Sequence, residues 1–473
     1  MRGNWFLPQF PNIKLPGELF IDTLNNNFKL EIYSNIHFDG KQIIHNEINK
    51  IEPSQVILGE INHISRKISL IDFSNVFYTE NQIGTGLYKI VIDIQIIIEK
   101  IHLTDINNKI FDNLYLRYNL PNSFYSNTIV YNYINQEGVL LINKLNDRIF
   151  ELDDYKISIC NKNKLSTDLY NYSNSETKFF VKIETKQSIS INEQLEIHSK
   201  LEQLLFLLSG KELQILECYY LKDIRIECNV YIKNHLKQIQ FESITSDKTN
   251  INLWNFSDVE LENIFKKWFS IYDDFESCIS LFNYTIKPIW KNGNRSLYFS
   301  EYTNIILNIV QVIEAFYKKD NEITYTNYLN DFNPQKTKVI DCLKKLKNNS
   351  VITIEDFNFI HDSLKPSKKG DKNEKSEIKL VTILKHYLNQ NKEVISFYID
   401  ESDFTTASEK LKNISNSLSH INHKSERDLE GQFKIHDLFN LSQYLFLSIL
   451  FSKIGMEQNK IKRILENVKR FGI

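Results

Sequence analysis

The chain has 473 residues, a formal net charge of −2, and 42% hydrophobic and 12% aromatic residues. This apolar content is ample for folded cores and excludes global disorder, and the length predicts two or three domains. The nearly balanced charge excludes a uniformly basic chain that would bind nucleic acid over its whole surface.

Residues 1–190 are predicted to form a β-rich domain. Apolar and polar residues alternate with period two in three runs, Phe28–Tyr33, Lys67–Asp72 and Tyr88–Ile96. Such alternation is typical of strands with one buried face. Short strands separated by Asn, Asp and Gly turns indicate an antiparallel β-sandwich-like domain or a two-layer antiparallel sheet.

Residues 191–255 are predicted to form a helix and a hairpin that pack on this sheet. Apolar residues recur at helical spacing over Ile191–Ser209, and Gly210 is a suitable stop. Strands are predicted to start near Leu213 and Ile224, with a third near Ile239.

Residues 256–473 are predicted to be all-α, which makes the fold class α+β and multidomain. Ser257 with Glu260 fits a capping box that starts a helix, and the next helix is predicted over Tyr298–Lys318. The most apolar helix, Leu438–Ile454, is interrupted by polar residues, so it is predicted to lie inside a bundle and not in a membrane. Further helices are predicted at 335–348, 355–364, 376–390, 402–419 and 432–471.

Two helical stretches carry an excess of positive charge. Residues 331–350 have five Lys against two Asp, and residues 453–473 have six Lys or Arg against two Glu. Both stretches are candidates for contact with RNA. The alternative is that they are solvated helix faces, and the sequence leaves both interpretations open.

The chain lacks the usual signatures of cofactor and metal sites. No Gly-rich phosphate loop precedes a helix, and no His or Cys pair has metal-ligand spacing, so neither a cofactor nor a metal is expected. The five cysteines form no CxxC pair, and the N-terminus has no apolar signal segment. These observations favour a cytoplasmic protein without a membrane partner.

One polar pair near the end of the chain has a spacing that matters for chemistry. Asn416 and His420 are four residues apart in a predicted helix, which places both on one face about 6 Å apart along the axis. A histidine beside polar partners can transfer protons near neutral pH. The alternative is a histidine that only stabilises the C-terminal end of its helix.

Several stretches, in their order along the chain, resemble the ApeA-like HEPN family. Asn4–Pro11, Leu15–Leu19 and Val56–Glu60 resemble the ApeA N-terminal domain, and Leu201–Lys211 is similar to a helix of this family that ends in Ser/Thr-Gly-Lys. The stretches Ile264–Phe269 and Ile306–Tyr317, the second containing Glu314, resemble helices that open the ApeA-like HEPN domain.

This resemblance implies a C-terminal HEPN helical bundle and an antiphage role through abortive infection. HEPN ribonucleases cut RNA without a metal, usually as homodimers or higher homo-oligomers. The expected partners are therefore an RNA substrate, a phage-derived trigger that acts through the N-terminal part, and a second copy of the chain.

The resemblance also assigns roles near the end of the chain. The HEPN signature of the family falls on Ser415–His420, where Asn416 and His420 match and Ser415 stands in place of the Arg. His420 would act as acid or base, and Asn416 would bind phosphate or orient His420. Supporting residues would be Glu314, Lys412, His423 and Lys424. The alternatives are a catalytically impaired HEPN protein that binds RNA or a protein partner, and a helical assembly module.

Overall fold

The computed structural model describes residues 1–22, 27–35, 56–61, 66–80, 87–126, 133–134, 140–141, 147–165, 175–222, 226–232, 249–292, 298–320, 344, 380–419 and 434–471. The chain divides into two compact units, Met1–Lys266 and Lys267–Ile473. The division falls inside a helix that begins at Asp258.

Six strands of the N-terminal unit close into an antiparallel barrel. They are β1 (Arg2–Phe6), β2 (Leu15–Asp22), β3 (Asn27–Asn35), β4 (Val56–Ile61), β5 (Arg66–Glu80) and β6 (Leu87–Glu99). Around the barrel the order is β1, β2, β3, β6, β5, β4, and β4 pairs again with β1. Because the barrel is closed, each of its six strands has a hydrogen-bonded neighbouring strand on both sides.

The barrel continues into a second antiparallel sheet through β6. Leu87–Asp93 of β6 pair with β3, whereas Ile96–Ile98 pair with β14 (Ile226–Ile232). The sheet then proceeds through β13 (Ile215–Lys222), β7 (Phe111–Tyr118), β12 (Ser175–Ile189), β11 (Tyr155–Leu165) and β10 (Arg148–Glu151). A separate two-stranded pair, β8 (Tyr133–Ile134) and β9 (Leu140–Leu141), and a short helix α1 (Asn122–Tyr125) complete this part.

The predicted antiparallel β-rich class is confirmed, but the sandwich-like arrangement is corrected to a barrel with a sheet extension. The period-two runs are all strands, within β3, β5 and β6. Alternation identifies a strand with one buried face, yet it does not specify which edges pair. The hairpin of β13 and β14 lies in the middle of the strand order, between β7 and β6. The third strand predicted near Ile239 lies outside the described residues.

Helix α2 (Ile191–Ser209) has the limits that the sequence predicts. Ser190 and Glu193 form a capping box in which the Ser190 N–H donates to the Glu193 carboxylate at 2.7 Å, and the Glu193 N–H donates to Ser190 Oγ at 3.3 Å. Gly210 ends the helix with φ of +69°, a conformation that favours glycine. The helix contacts the second sheet through His198, whose ring stacks on that of Tyr118 with centroids 6.1 Å apart.

The second unit is helical in all the segments that the structure describes. Helix α3 (Asp258–Asn292) starts at the predicted Ser257–Glu260 capping box, and α4 (Phe299–Asp320) follows. Next come α5 (Leu380–Gln390), α6 (Lys392–Ile395), α7 (Phe404–Ser419), α8 (Ile435–Lys453) and α9 (Gln458–Phe471). The helices predicted at 335–348 and 355–364 fall outside the described residues, apart from the helical residue 344.

Helix α8 is the centre of the second unit. All its residues from Leu438 to Phe451 are buried, as expected for a helix that is apolar on all sides. The Phe446 ring packs on Phe282 of α3 at 4.4 Å between centroids and on Phe316 of α4 at 6.1 Å. Among the helices described, none combines the length and apolar character that crossing a membrane requires.

The helix predicted over 432–471 is two helices, which is a correction. Gly455 has φ of +77°, so the chain turns after α8. The Gly455 N–H donates to Ser452 O and the Met456 N–H to Phe451 O, both at 3.0 Å. This is the Schellman pattern, in which a left-handed glycine satisfies the last carbonyls of a helix. The glycine was the available signal in the sequence.

Candidate functional site

Helix α7 carries the described part of the predicted site. Its inner face is formed by buried residues at helical spacing, namely Phe404, Ala407, Ser408, Leu411, Ile414 and Ser415. Burial of this stripe explains why a sequence with many polar residues folds as a helix here. The helix packs against α4, α5 and α8, and its outward positions include Asn416.

Asn416 and Ser415 have opposite environments. The Asn416 side chain is exposed, whereas Ser415 is only 7% exposed and lies on the packed face. A cation at position 415 would therefore have to be buried, at a cost that only a well-placed anion offsets. Position 416 can meet a ligand from solvent without any rearrangement of the helix.

Lys412 lies one turn before Asn416 on the same helix and is half-buried. Residues four apart on a helix are neighbours on its surface, so the Lys412 stem starts beside Asn416. A lysine in this position can cover apolar surface with its methylene groups and keep its ammonium group in solvent. It is the described cation closest in sequence to the predicted site.

Three predicted site residues lie outside the described part of the chain. They are His420, His423 and Lys424, which follow the last residue of α7. The Asn416–His420 pair therefore remains a prediction from spacing.

Glu314, the predicted supporting carboxylate, lies on α4. Its Oε1 atom is 2.6 Å from Lys318 Nζ, one helical turn further along, and both side chains are partly exposed. Exposed pairs of this kind contribute little to stability. Helices α4 and α7 pack together, so Glu314 belongs to the helix pair that carries Asn416.

A second histidine lies in a polar environment in the helical unit. His436, in the first turn of α8, has its ring nitrogens 3.2 and 3.3 Å from Asn440 Nδ2. The Tyr302 ring of α4 meets the imidazole edge-on at 6.0 Å between centroids. The hydroxyl of Tyr398 donates to the carbonyl of the next residue, Asp437, at 3.1 Å, and burial raises the pKa of Tyr398. The four-residue spacing of His436 and Asn440 was the signal available, since it repeats that of Asn416 and His420 in reverse order.

An open cleft of about 320 Å³ lies in the N-terminal unit. Its only described arginine, Arg148, is held by its Nε–H to Asp258 at 2.6 Å and by its terminal N–H groups to the Leu253 and Phe256 carbonyls at 3.0 and 2.8 Å. These bonds fix the turn before α3, so Arg148 has a structural role. The lining residues are Tyr125, Ser126, Arg148, Trp254, Phe256, Ser257 and Asp258.

The described residues contain no group of three or more His, Cys, Asp or Glu side chains arranged to hold a metal ion. Four cysteines are described, Cys160, Cys218, Cys228 and Cys278, and all are buried free thiols. Burial raises the pKa of Cys218 and of Cys278, which keeps both protonated and unreactive.

Comparison with known proteins gives one match. Residues 1–268 match the family described as ApeA N-terminal domain 1. This match covers the barrel, the second sheet and the start of α3. No curated protein and no solved structure matches the chain.

Proposed function

The chain belongs to the family of the ApeA N-terminal domain 1, and from this premise we propose that it is an antiphage defence protein whose helical unit is a HEPN-type RNA endonuclease. The single observation that carries the proposal is the family match over more than half of the chain, followed by a helical unit. In this proposal the helical unit cuts RNA in infected cells and the N-terminal unit responds to a phage-derived trigger.

His420 is the proposed acid or base. Cleavage of RNA by its own 2′-hydroxyl requires that this group lose a proton, attack the adjacent phosphorus, and expel the 5′-oxygen, which gains a proton. A histidine serves both transfers near neutral pH. This chemistry requires no metal and leaves a 2′,3′-cyclic phosphate and a 5′-hydroxyl.

Asn416 is proposed to bind a phosphate oxygen or to orient His420. Its exposed side chain, one helical turn before His420 in sequence, supports this role. The pentacoordinate phosphate also needs a cation, and the buried Ser415 does not supply one. Lys412 is the proposed substitute because it is half-buried beside Asn416, with His423 and Lys424 as further candidates.

A homodimer or higher homo-oligomer in the cytoplasm is part of the proposal, since paired HEPN motifs build one cleft. The RNA substrate is then held between two copies of α7. Cleavage should therefore depend on protein concentration in the range in which the chain associates.

The decisive experiment compares wild type with His420→Ala, with His386→Ala as the control. His386 is an exposed histidine of α5, so its loss tests for a nonspecific effect. We expect wild type and His386→Ala to cut RNA in the presence of a chelator and to reduce plaque formation, and His420→Ala to do neither. Equal cleavage by His420→Ala would refute the role of His420.

A catalytically impaired regulator that binds RNA or a protein partner is the second candidate. The burial of Ser415, where a phosphate-binding arginine is expected, favours it. It predicts RNA binding without products, and phage protection that survives His420→Ala.

A further inference from the structure

The last helix, α9, separates apolar and basic residues on two faces. Ile461, Ile464, Leu465 and Val468 are buried, with at most 3% of each side chain exposed. Lys462 is half-buried and Arg463 is exposed. Lys469 and Arg470 occur one heptad later, so the same two positions along the helix are basic again.

The basic residues of this face outnumber its acidic residue, Glu466, which follows Lys462 by four positions and Arg463 by three. Residues 453–473 have six Lys or Arg against two Glu, in a chain whose net charge is −2. Glu457 lies 3.7 Å from Lys460, and Lys453 forms an ion pair with Asp320. Among the described residues, Lys462 and Arg463 take part in no ion pair.

The burial of the apolar face decides what kind of partner fits. A basic amphipathic helix binds a membrane surface by inserting its apolar side. In α9 that side is already covered by the unit itself, so the basic side alone is available. A polyanion in solution therefore complements this surface better than a lipid bilayer does.

We propose that the basic face of α9, with Lys462 and Arg463 as its described members, binds the phosphate backbone of RNA. The identity of the polyanion rests on the proposed function, whereas the binding surface rests on charge and burial. Contacts to phosphates position a nucleic acid without reading its sequence. The helix would thus hold substrate of any sequence for the catalytic residues.

Salt dependence of binding is the measurement that isolates these contacts. The logarithm of the association constant falls with the logarithm of salt concentration by about 0.7 per phosphate contact on a single strand. The full-length His420→Ala protein serves as background, so that RNA is not cut. Binding of a labelled single-stranded RNA is measured from low to high salt for this protein and for Lys462→Gln/Arg463→Gln.

A matched control loses the same charge elsewhere in the helical unit. Lys385→Gln/Lys392→Gln changes two lysines on α5 and α6, one half-buried and one exposed. We expect the α9 variant to flatten the salt slope by about 1.4 and the control to leave it unchanged. Because the four residues lie at the surface, urea midpoints of all proteins should agree, which checks folding.

Equal slopes for the α9 variant and the background protein would overturn the inference. Absence of RNA binding by the background protein, or binding of anionic vesicles that depends on Lys462 and Arg463, would overturn it as well. The proposed nuclease is judged separately, by the products of the wild-type protein. If wild type cuts RNA but the α9 variant leaves the salt slope of RNA binding unchanged, only the proposed binding surface is refuted. If RNA binding depends on α9 but wild type gives no cleavage products, only the proposed nuclease activity is refuted.

Discussion

The indole of Trp5 lies directly against Gly59 on the neighbouring barrel strand, so closely that a Cβ on Gly59 would overlap the six-membered ring. Trp5 is fully buried, and Gly17 lies near the five-membered ring, where a Cβ would be 2.8 Å from Cδ1. Two glycines on different strands thus make room for the largest side chain of the barrel. Their role is the close approach of an aromatic ring, since neither has a positive φ.

Gly59→Ala is expected to destabilise the N-terminal unit by about 1–3 kcal/mol, the usual cost of overpacking a core. Trp5→Phe should relieve most of that cost, because the three atoms nearest to the added Cβ all belong to the Trp5 ring. Gly17→Ala is the matched comparison. Its Cβ would also lie 2.5 Å from the Glu31 carbonyl oxygen, so Trp5→Phe should not relieve it. A double-mutant cycle from urea unfolding measures both couplings, and equal couplings would contradict this packing.

Removing Arg66 from its ion pair with Glu99 should destabilise the N-terminal unit more than neutralising Glu99 does. Glu99 is 2% exposed, is paired with Arg66, and accepts a hydrogen bond from Asn229 at 3.0 Å. Arg66→Ala leaves a buried carboxylate without its cation and should cost about 3–5 kcal/mol. Glu99→Gln should cost less, because the partly exposed Arg66 can turn to solvent. Urea unfolding of the two variants tests this order, and a larger loss for Glu99→Gln would contradict it.

Glu193 should make the stability of the N-terminal unit depend on acid pH. The Ser190 N–H, then Lys109 and the Ser190 hydroxyl, lower the pKa of Glu193 from 4.5 to about 2. A carboxyl group with a lower pKa in the folded than in the unfolded protein stabilises the fold at pH values above its unfolded-state pKa. This stabilisation is lost as the pH falls toward the folded-state pKa. Wild type should therefore exceed Glu193→Gln in urea midpoint above pH 4.5, and the difference should shrink toward pH 2. Glu196→Gln, an exposed change on the same helix that leaves the Ser190–Glu193 capping box intact, is the matched control.

Gly455→Ala should destabilise the helical unit by about 1 kcal/mol, since alanine disfavours the left-handed φ of +77°. An added Cβ would also displace the flexible Lys267 ammonium group. Gly455→Asn should cost less because asparagine tolerates this conformation. Thermal unfolding of both variants checks the order. An alanine variant as stable as wild type would mean that the turn between α8 and α9 does not need its glycine.

Local patterns predicted the elements better than their arrangement. The limits of α2 followed from the apolar spacing over Ile191–Ser209 and from Gly210, because both signals are decided within a few residues. The closed barrel did not follow, since the contact of Trp5 with Gly17 and Gly59 joins strands that are distant in sequence. The resemblance had selected all three residues without indicating that they meet.

In the candidate site, too, local patterns predicted the helix but not the contacts between helices. The helix predicted at 402–419 was found at Phe404–Ser419 because its apolar stripe is local. The contact of His436 with Tyr302 and that of Asp437 with Tyr398 join residues that no spacing in the sequence connects. The burial of Ser415 likewise depends on neighbouring helices and could not be derived from α7 alone.

Lys412 provides the sharpest test of whether the buried Ser415 leaves the site without a cation. If Lys412 neutralises the phosphate in place of an arginine, Lys412→Gln should reduce RNA cleavage about a hundred- to a thousandfold. Lys410→Gln is the matched control, since the same charge is removed from the same helix about 200° away around the axis. Lys410→Gln should keep nearly full activity, and both variants should unfold at the wild-type urea concentration because neither lysine is fully buried. Equal, small effects of the two substitutions on cleavage would mean that the cation that neutralises the phosphate comes from His423, Lys424 or a second copy of the chain. Loss of all cleavage in both variants would indicate a general effect of charge on RNA binding.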